Sequence, residues 1–244
     1  MKYPWPFRRC PADHVLIACT PKSGSTFLAK ALSAAIGLPL RHVSASFGHN
    51  EQDILERRLR RLSRRAVIHQ HIKGTCNNVA LMKKYAVRPI VLVRNVFDSV
   101  ISLDDHLQRE DHRVPTGFVH REYWTMPFEE RLTYLIQIHL PWYFNFFMSW
   151  REASTGLQTF PLTYERLFAN VPQTLVEILA FYRVPATTNQ MAQVVQELDK
   201  TGTRFNKGVA GRGETLLTDN HKHAIRQLAA AWSVDRHEMA SLGL

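Results

Sequence analysis

The sequence predicts an α/β fold: one domain over residues 1–244, with a central parallel sheet flanked by helices. Three observations carry that expectation. Mostly apolar runs at 15–19 (VLIAC), 66–72 (AVIHQHI) and 89–93 (PIVLV) lack the strict alternation of a half-exposed strand and suit strands covered on both faces. Segments of helical periodicity stand between them, the order that builds parallel sheet. A Pro-Lys-Ser-Gly-Ser-Thr stretch at 21–26 joins the first strand to the first helix, where a phosphate is readily held.

Taken in chain order, the strand at 15–19 is stopped by Pro21, and a helix over 27–36 is ended by Gly37 and Pro39. The block 51–65 contains ERRLRRLSRR, with Leu55, Leu59 and Leu62 at helical spacing, and predicts a basic amphipathic helix. A solvated face with a thin apolar stripe is favoured for it over an acceptor or membrane patch. A strand at 66–72, a helix at 77–85, a strand at 89–93 and a helix at 96–109 follow. Residues 110–127, holding Pro115, Gly117 and Pro127, read as a loop. A long aromatic helix at 128–153, with Pro141 as a kink, places Trp142, Phe146 and Trp150 on a core stripe. A strand at 157–162 and helices at 170–183, 188–200 and 219–242 complete the chain.

A chain of 244 residues suffices for one sizeable domain, and its formal charge of +10 fits a partner that is polyanionic: nucleic acid, an acidic membrane surface or a multiply phosphorylated nucleotide. Charge does not choose among these. Cys10, Cys19 and Cys76 are too few and too scattered for a disulfide framework or a zinc knuckle, so reduced thiols in a cytoplasmic protein are expected. The N-terminus, MKYPWPFRRCPADH, lacks the apolar core of a signal peptide, and no window approaches a membrane span. Peripheral membrane contact and a homodimer both stay open.

Ser23, Gly24, Ser25 and Thr26 supply backbone N–H groups, close approach and hydroxyl donors, and Lys22 adds a positive charge. This is not a Walker A loop, because the Lys precedes the one glycine instead of following the second. Arg94 leaves the 89–93 strand at its carboxyl end, where open α/β sheets bind ligands, and Ser102, two helical turns later, can face the same anion. Asn206-Lys207-Gly208-Val209-Ala210-Gly211-Arg212-Gly213 is a further Gly- and Lys-rich stretch. Each has an ordinary alternative: a strand-to-helix turn with a capping Ser, a surface Arg at a helix cap, a surface lid.

Together the three segments resemble the sulfotransferases that use 3′-phosphoadenosine 5′-phosphosulfate (PAPS). Residues 21–27 are similar to that family's Pro-Lys-Ser-Gly-Thr-Thr-Trp loop, with Ser25 for Thr and Phe27 for Trp. Arg94 and Ser102 match its 3′-phosphate motif, and Lys207, Gly208 and Gly211 fall in register with its Arg-Lys-Gly-x-x-Gly-Asp-Trp segment. Asn206, Arg212 and Gly213 depart from that pattern, with Arg204 or Arg212 as substitute guanidinium. The motifs keep family order from about residue 15 to 218.

The resemblance implies a P-loop-like three-layer sandwich, PAPS as donor, adenosine 3′,5′-bisphosphate (PAP) as product and no metal, the His residues being scattered along the chain. It implies a donor site of Lys22, Ser23, Gly24, Ser25, Thr26, Phe27, Arg94, Ser102, Tyr164, Asn206, Lys207 and Gly208. Lys22 would meet charge on the leaving group, Phe27 would stack on adenine, and Tyr164 would reach the base edge, though a buried structural Tyr is as good a reading. His71 aligns with the catalytic base of the cytosolic branch, and His69 stands where that branch has Lys. Glu51, Asp104 and Asp105 are acidic rivals for the base. The acceptor leans towards a carbohydrate or glycolipid hydroxyl, with a phenol or other small molecule as alternative. Its expected walls are the 110–127 loop, with His112, Arg113, His120, Arg121, Tyr123 and Trp124, and the basic block. A P-loop nucleotide kinase and a basic nucleic-acid-binding protein remain as competing readings; no nucleic-acid-binding motif supports the latter.

Overall fold

The computed structural model describes residues 14–45, 52–62, 64–109, 114–200 and 210–244. Five parallel strands form one sheet in the order β2-β3-β1-β4-β5. They are β1 (Val15–Cys19), β2 (Leu40–Arg41), β3 (Val67–Gln70), β4 (Arg88–Val93) and β5 (Phe160–Thr163). Every residue of the central β1 is buried. Its side chains alternate between two cores, as a pleated strand requires: Leu16 and Ala18 enter one with Ile68, Phe97 and Trp150, while Val15, Ile17 and Cys19 enter the other with Leu28, Leu32 and Leu175. The expected α/β class with a doubly covered parallel sheet is therefore what the chain adopts.

Because all strands run the same way, their carboxyl ends share one edge. The chain leaves that edge into α1 (Ser25–Ile36), into the turn before α3 (Cys76–Lys84), into α4 (Val96–Arg109) and into α7 (Tyr164–Ala169). α8 (Val171–Phe181) and α9 (Thr188–Lys200) follow α7. Trp142, Phe146 and Trp150 are buried as expected, with Trp142 and Phe146 stacked at 5.5 Å and the Trp150 indole donating to the Ile72 carbonyl.

Several bounds differ from expectation for physical reasons. The basic helix shrinks to α2 (Glu56–Arg60), since arginines three and four apart repel along one helix face. Only Leu59 of its stripe is fully buried, and Arg57, Arg58 and Arg60 are exposed, which is the solvated-face reading. The long aromatic helix divides into α5 (Phe128–Tyr134), a π-helical turn (Leu135–His139) and α6 (Leu140–Ala153), so the disturbance at Pro141 takes the form of a wide turn ahead of it. The C-terminal helix breaks into α11 (Asp219–Ala231) and α12 (Arg236–Ser241), and a capping box of Asp235 and Glu238 starts the second. β2, α7 and α10 (Arg212–Leu216) are too short to leave a periodic signal.

His139, fully buried in the π turn, shares a 2.8 Å hydrogen bond with Thr116, and burial pushes its pKa from 6.5 down to about 4. The native state keeps this imidazole neutral while the unfolded chain protonates below pH 6.5. Its stabilising contribution is thus complete above 6.5 and lost as pH falls towards 4, on the order of 3 kcal/mol in all. Urea unfolding of wild type and His139→Gln at pH 7 and 4.5 should show the smaller pH dependence in the variant; equal dependence would refute the assignment.

Candidate functional site

Residues 20–24 connect the buried end of β1 to α1. Lys22 has φ 64° and Gly24 φ 78°, two left-handed residues in a three-residue span. For Lys22 this costs about 1 kcal/mol, and local bonds hold it: the Ser23 hydroxyl donates to the Thr20 carbonyl at 2.6 Å, and Arg94 Nη1 donates to the Lys22 carbonyl at 3.1 Å. Gly24 is required twice over, because a Cβ there would also lie 2.8 Å from the Phe168 ring. It caps α1 without any side-chain hydrogen bond, and the helix has no acidic residue in its first turn. The first-turn N–H groups, beside the hydroxyls of Ser25 and Thr26, are arranged for an anion.

Arg94, at the end of β4, is 6 % exposed. Its guanidinium lies 4.2 Å from the Tyr164 ring centre and 3.7 Å from the buried Asp98 carboxylate, and its Nε has no hydrogen-bond partner among the described residues. A buried cation with a spare donor suits an added phosphate. Asp98 Oδ2 accepts from the Gly211 N–H at 2.9 Å and Oδ1 from the Gly213 N–H at 2.8 Å. Gly213 sits so close to α4 that a Cβ would come 2.4 Å from the Phe97 carbonyl carbon. Ser102 stands one turn beyond Asp98 on α4, half-buried.

Across the loop, β1 pairs with β3 in the register Ile17 to His69 and Ala18 to Gln70. His69 Nε2 lies 2.9 Å from the Ser25 hydroxyl, and burial, with smaller contributions from His71 and His42, pushes the His69 pKa down to about 3. His71 Nδ1 stands 2.9 Å from the Cys19 carbonyl and 3.4 Å from its sulfur. A carbonyl oxygen only accepts, so that bond puts a proton on Nδ1, and in the neutral ring Nε2 then carries the lone pair. Although dispersed in sequence, Cys19, His69 and His71 offer ligand atoms within 4.8 Å of one another.

The other expected residues divide clearly. Phe27 is buried with its ring 5.4 Å from that of Phe168, and Tyr164, also buried, meets the Phe168 ring at a tilt, centroids 4.3 Å apart; desolvation raises the Tyr164 pKa. Both oxygens of Asp104 are held by Arg131, and Oδ1 also accepts from Tyr123 at 2.6 Å. Asp105 pairs with Arg212 at 2.5 Å. In the 114–127 segment Tyr123 therefore turns inward, Trp124 donates to the Leu107 carbonyl, His120 contacts Glu122, and Phe118 is 83 % exposed. Glu51, His112, Arg113, Arg204, Asn206, Lys207 and Gly208 lie outside the described residues. Asp98 was not singled out by sequence, and Gly213 only as a departure from the family pattern, since their contact spans 115 residues.

The edge as a whole holds two features suited to an anion, the uncapped α1 N-terminus and Arg94, with a neutral imidazole beside the first. A family model for the sulfotransferase domain matches residues 12–240. No curated protein matches the chain in sequence. Among solved structures it is similar to a mouse sulfotransferase complexed with PAP, at TM-score 0.70 and 17% identity, covering 95% of this chain and 87% of that one. It is similar to retinol dehydratase in a complex with retinol and PAP (TM-score 0.61, 14% identity, 91% and 81% covered). It is also similar to the sulfotransferase domain from the curacin biosynthetic pathway (0.55, 12%, 92% and 98%). At such identities the structural likeness shows the fold.

Asp98→Ala would leave the Gly211 and Gly213 N–H groups unpaired and the Arg94 charge uncompensated, and it is expected to cost about 3 kcal/mol. Amide hydrogen exchange should quicken at Gly211 and Gly213. Unchanged exchange there would show that the carboxylate does not anchor the segment.

Proposed function

The chain belongs to the sulfotransferase family, and on that premise we propose that it transfers the sulfuryl group of PAPS to an acceptor hydroxyl by in-line displacement. The observation that carries the reading is the pairing of an uncapped, hydroxyl-lined helix start with a buried Arg94 that retains a spare donor. One suits a 5′-phosphosulfate and the other a 3′-phosphate. Bound there, PAPS supplies the transferable sulfuryl group.

The acceptor proton goes to His71 Nε2, which the Cys19 carbonyl leaves unprotonated by holding Nδ1. As the acceptor oxygen bonds to sulfur, the bridging S–O bond breaks and its electron pair stays on the 5′-phosphate. Lys22, with the first-turn N–H groups of α1, meets that charge. His69, kept neutral by burial, orients the Ser25 hydroxyl without adding a competing cation. Asp104 and Asp105, each committed to an arginine, are poorly suited to the base role, which favours His71. Ser102, Tyr164, Phe27 and the segment with Asn206, Lys207 and Gly208 complete the donor site in this reading. The acceptor is a carbohydrate or glycolipid hydroxyl: Arg57, Arg58 and Arg60 are exposed on α2, and the half-buried Lys73 adds a further cation for such a polar acceptor. No helix among the described residues is long and apolar enough to cross a membrane, in keeping with a cytoplasmic enzyme.

Calorimetry with PAP, ATP and a DNA oligomer should show tight binding of PAP alone; tight ATP binding with no PAP binding would overturn the reading. His71→Gln should lower turnover by about two orders of magnitude while leaving PAP affinity unchanged, and near-normal turnover would remove His71 from the role.

A further inference from the structure

Cys19 ends β1, His69 lies on β3 and His71 follows its last residue; the parallel register of the two adjacent strands brings their carboxyl ends side by side. One sulfur and two imidazole nitrogens are the donor set that borderline-soft divalent cations prefer over calcium or magnesium. Zinc at its usual bond lengths of about 2.0–2.3 Å holds tetrahedral ligand atoms roughly 3.3–3.7 Å apart. His71 Nδ1 and Cys19 Sγ are already 3.4 Å apart, and the whole set lies within 4.8 Å, so closing onto a cation needs side-chain movement of about 1 Å. Three ligands leave the fourth position to water or an anion, and the Ser25 hydroxyl stands 2.9 Å from His69 Nε2.

We propose that Cys19, His69 and His71 bind a zinc-class divalent cation, and that this cation reversibly inhibits the enzyme. Cys19 gives its thiol proton to solvent and binds as thiolate; both imidazoles bind as neutral ligands. A neutral imidazole has one nitrogen lone pair. Whichever nitrogen of His71 takes the metal, the other carries the proton, so His71 can no longer receive the proton of an acceptor hydroxyl. The inhibition rests on the sulfuryl-transfer reading; the binding does not.

Cobalt(II) serves as the spectroscopic probe. Titration of the full chain should give a near-ultraviolet sulfur-to-cobalt charge-transfer band that saturates at one equivalent and is displaced by zinc. Cys19→Ser should abolish the band, His69→Gln should weaken cobalt affinity about tenfold or more, and Cys76→Ser, at an exposed thiol, should change neither. Circular dichroism and a cooperative urea transition check that each variant is folded; should Cys19→Ser fail to fold, His69→Gln and Cys76→Ser decide. Absence of the band, its persistence in Cys19→Ser, or its loss in Cys76→Ser overturns the site. Zinc at saturating occupancy should abolish turnover, with recovery on adding a chelator. Full turnover with the site loaded overturns the inhibitory role, while turnover that is absent even without metal overturns the transfer reading and not the metal site.

Discussion

A buried guanidinium cannot be left uncompensated, and the arrangement of the nucleotide edge depends on how Arg94 is compensated. Its Nη1 holds the Lys22 carbonyl, its face lies on Tyr164, and its charge is met by Asp98 on the first turn of α4. Asp98 uses its two oxygens on the Gly211 and Gly213 amides, which brings α10 against α4. One cation therefore positions the loop after β1, the helix after β4, the helix after β5 and a C-terminal helix. The same cation keeps an unused donor, so the group that organises the edge is also the one prepared to receive an anion.

Much of this was legible in the sequence, and the remainder divides by range of interaction. β1 and β4 announce themselves because burial on both faces demands continuous apolar runs, α4 because its apolar residues recur at helical spacing, and the 21–26 loop because only certain residues tolerate a left-handed turn beside an anion. The break ahead of α12 was also written, as Asp235 and Glu238 in capping-box spacing, but the apolar periodicity that spans it conceals it. The Asp98 contact with Gly213 and the meeting of Cys19 with His71 had no local signal. They follow from tertiary placement and from parallel register, neither of which a window of sequence contains.

The surface charge reads differently once the arginines are placed. Arg131 neutralises Asp104 beneath the 114–127 segment, Arg212 meets Asp105, and Arg166 meets Glu177, so these guanidinium groups serve the fold. Arg57, Arg58 and Arg60 stand outward on α2. These three thus present positive charge from a short helix that lies between β2 and β3 in the chain.

The π turn at Leu135–His139 inserts an extra residue between α5 and α6. A helix advances about 100° per residue, so this one residue acts as an angular spacer that sets α6 on a different heading from α5. The aromatic stripe of α6 and Leu132 of α5 can then both face the core from one nearly continuous rod. Removing the spacer would turn Trp142, Phe146 and Trp150 out of the core by roughly a quarter turn. It would also withdraw the Trp150 indole from the Ile72 carbonyl, just after His71. The heading of α6 thus bears on the backbone at Ile72, the residue after the base we propose.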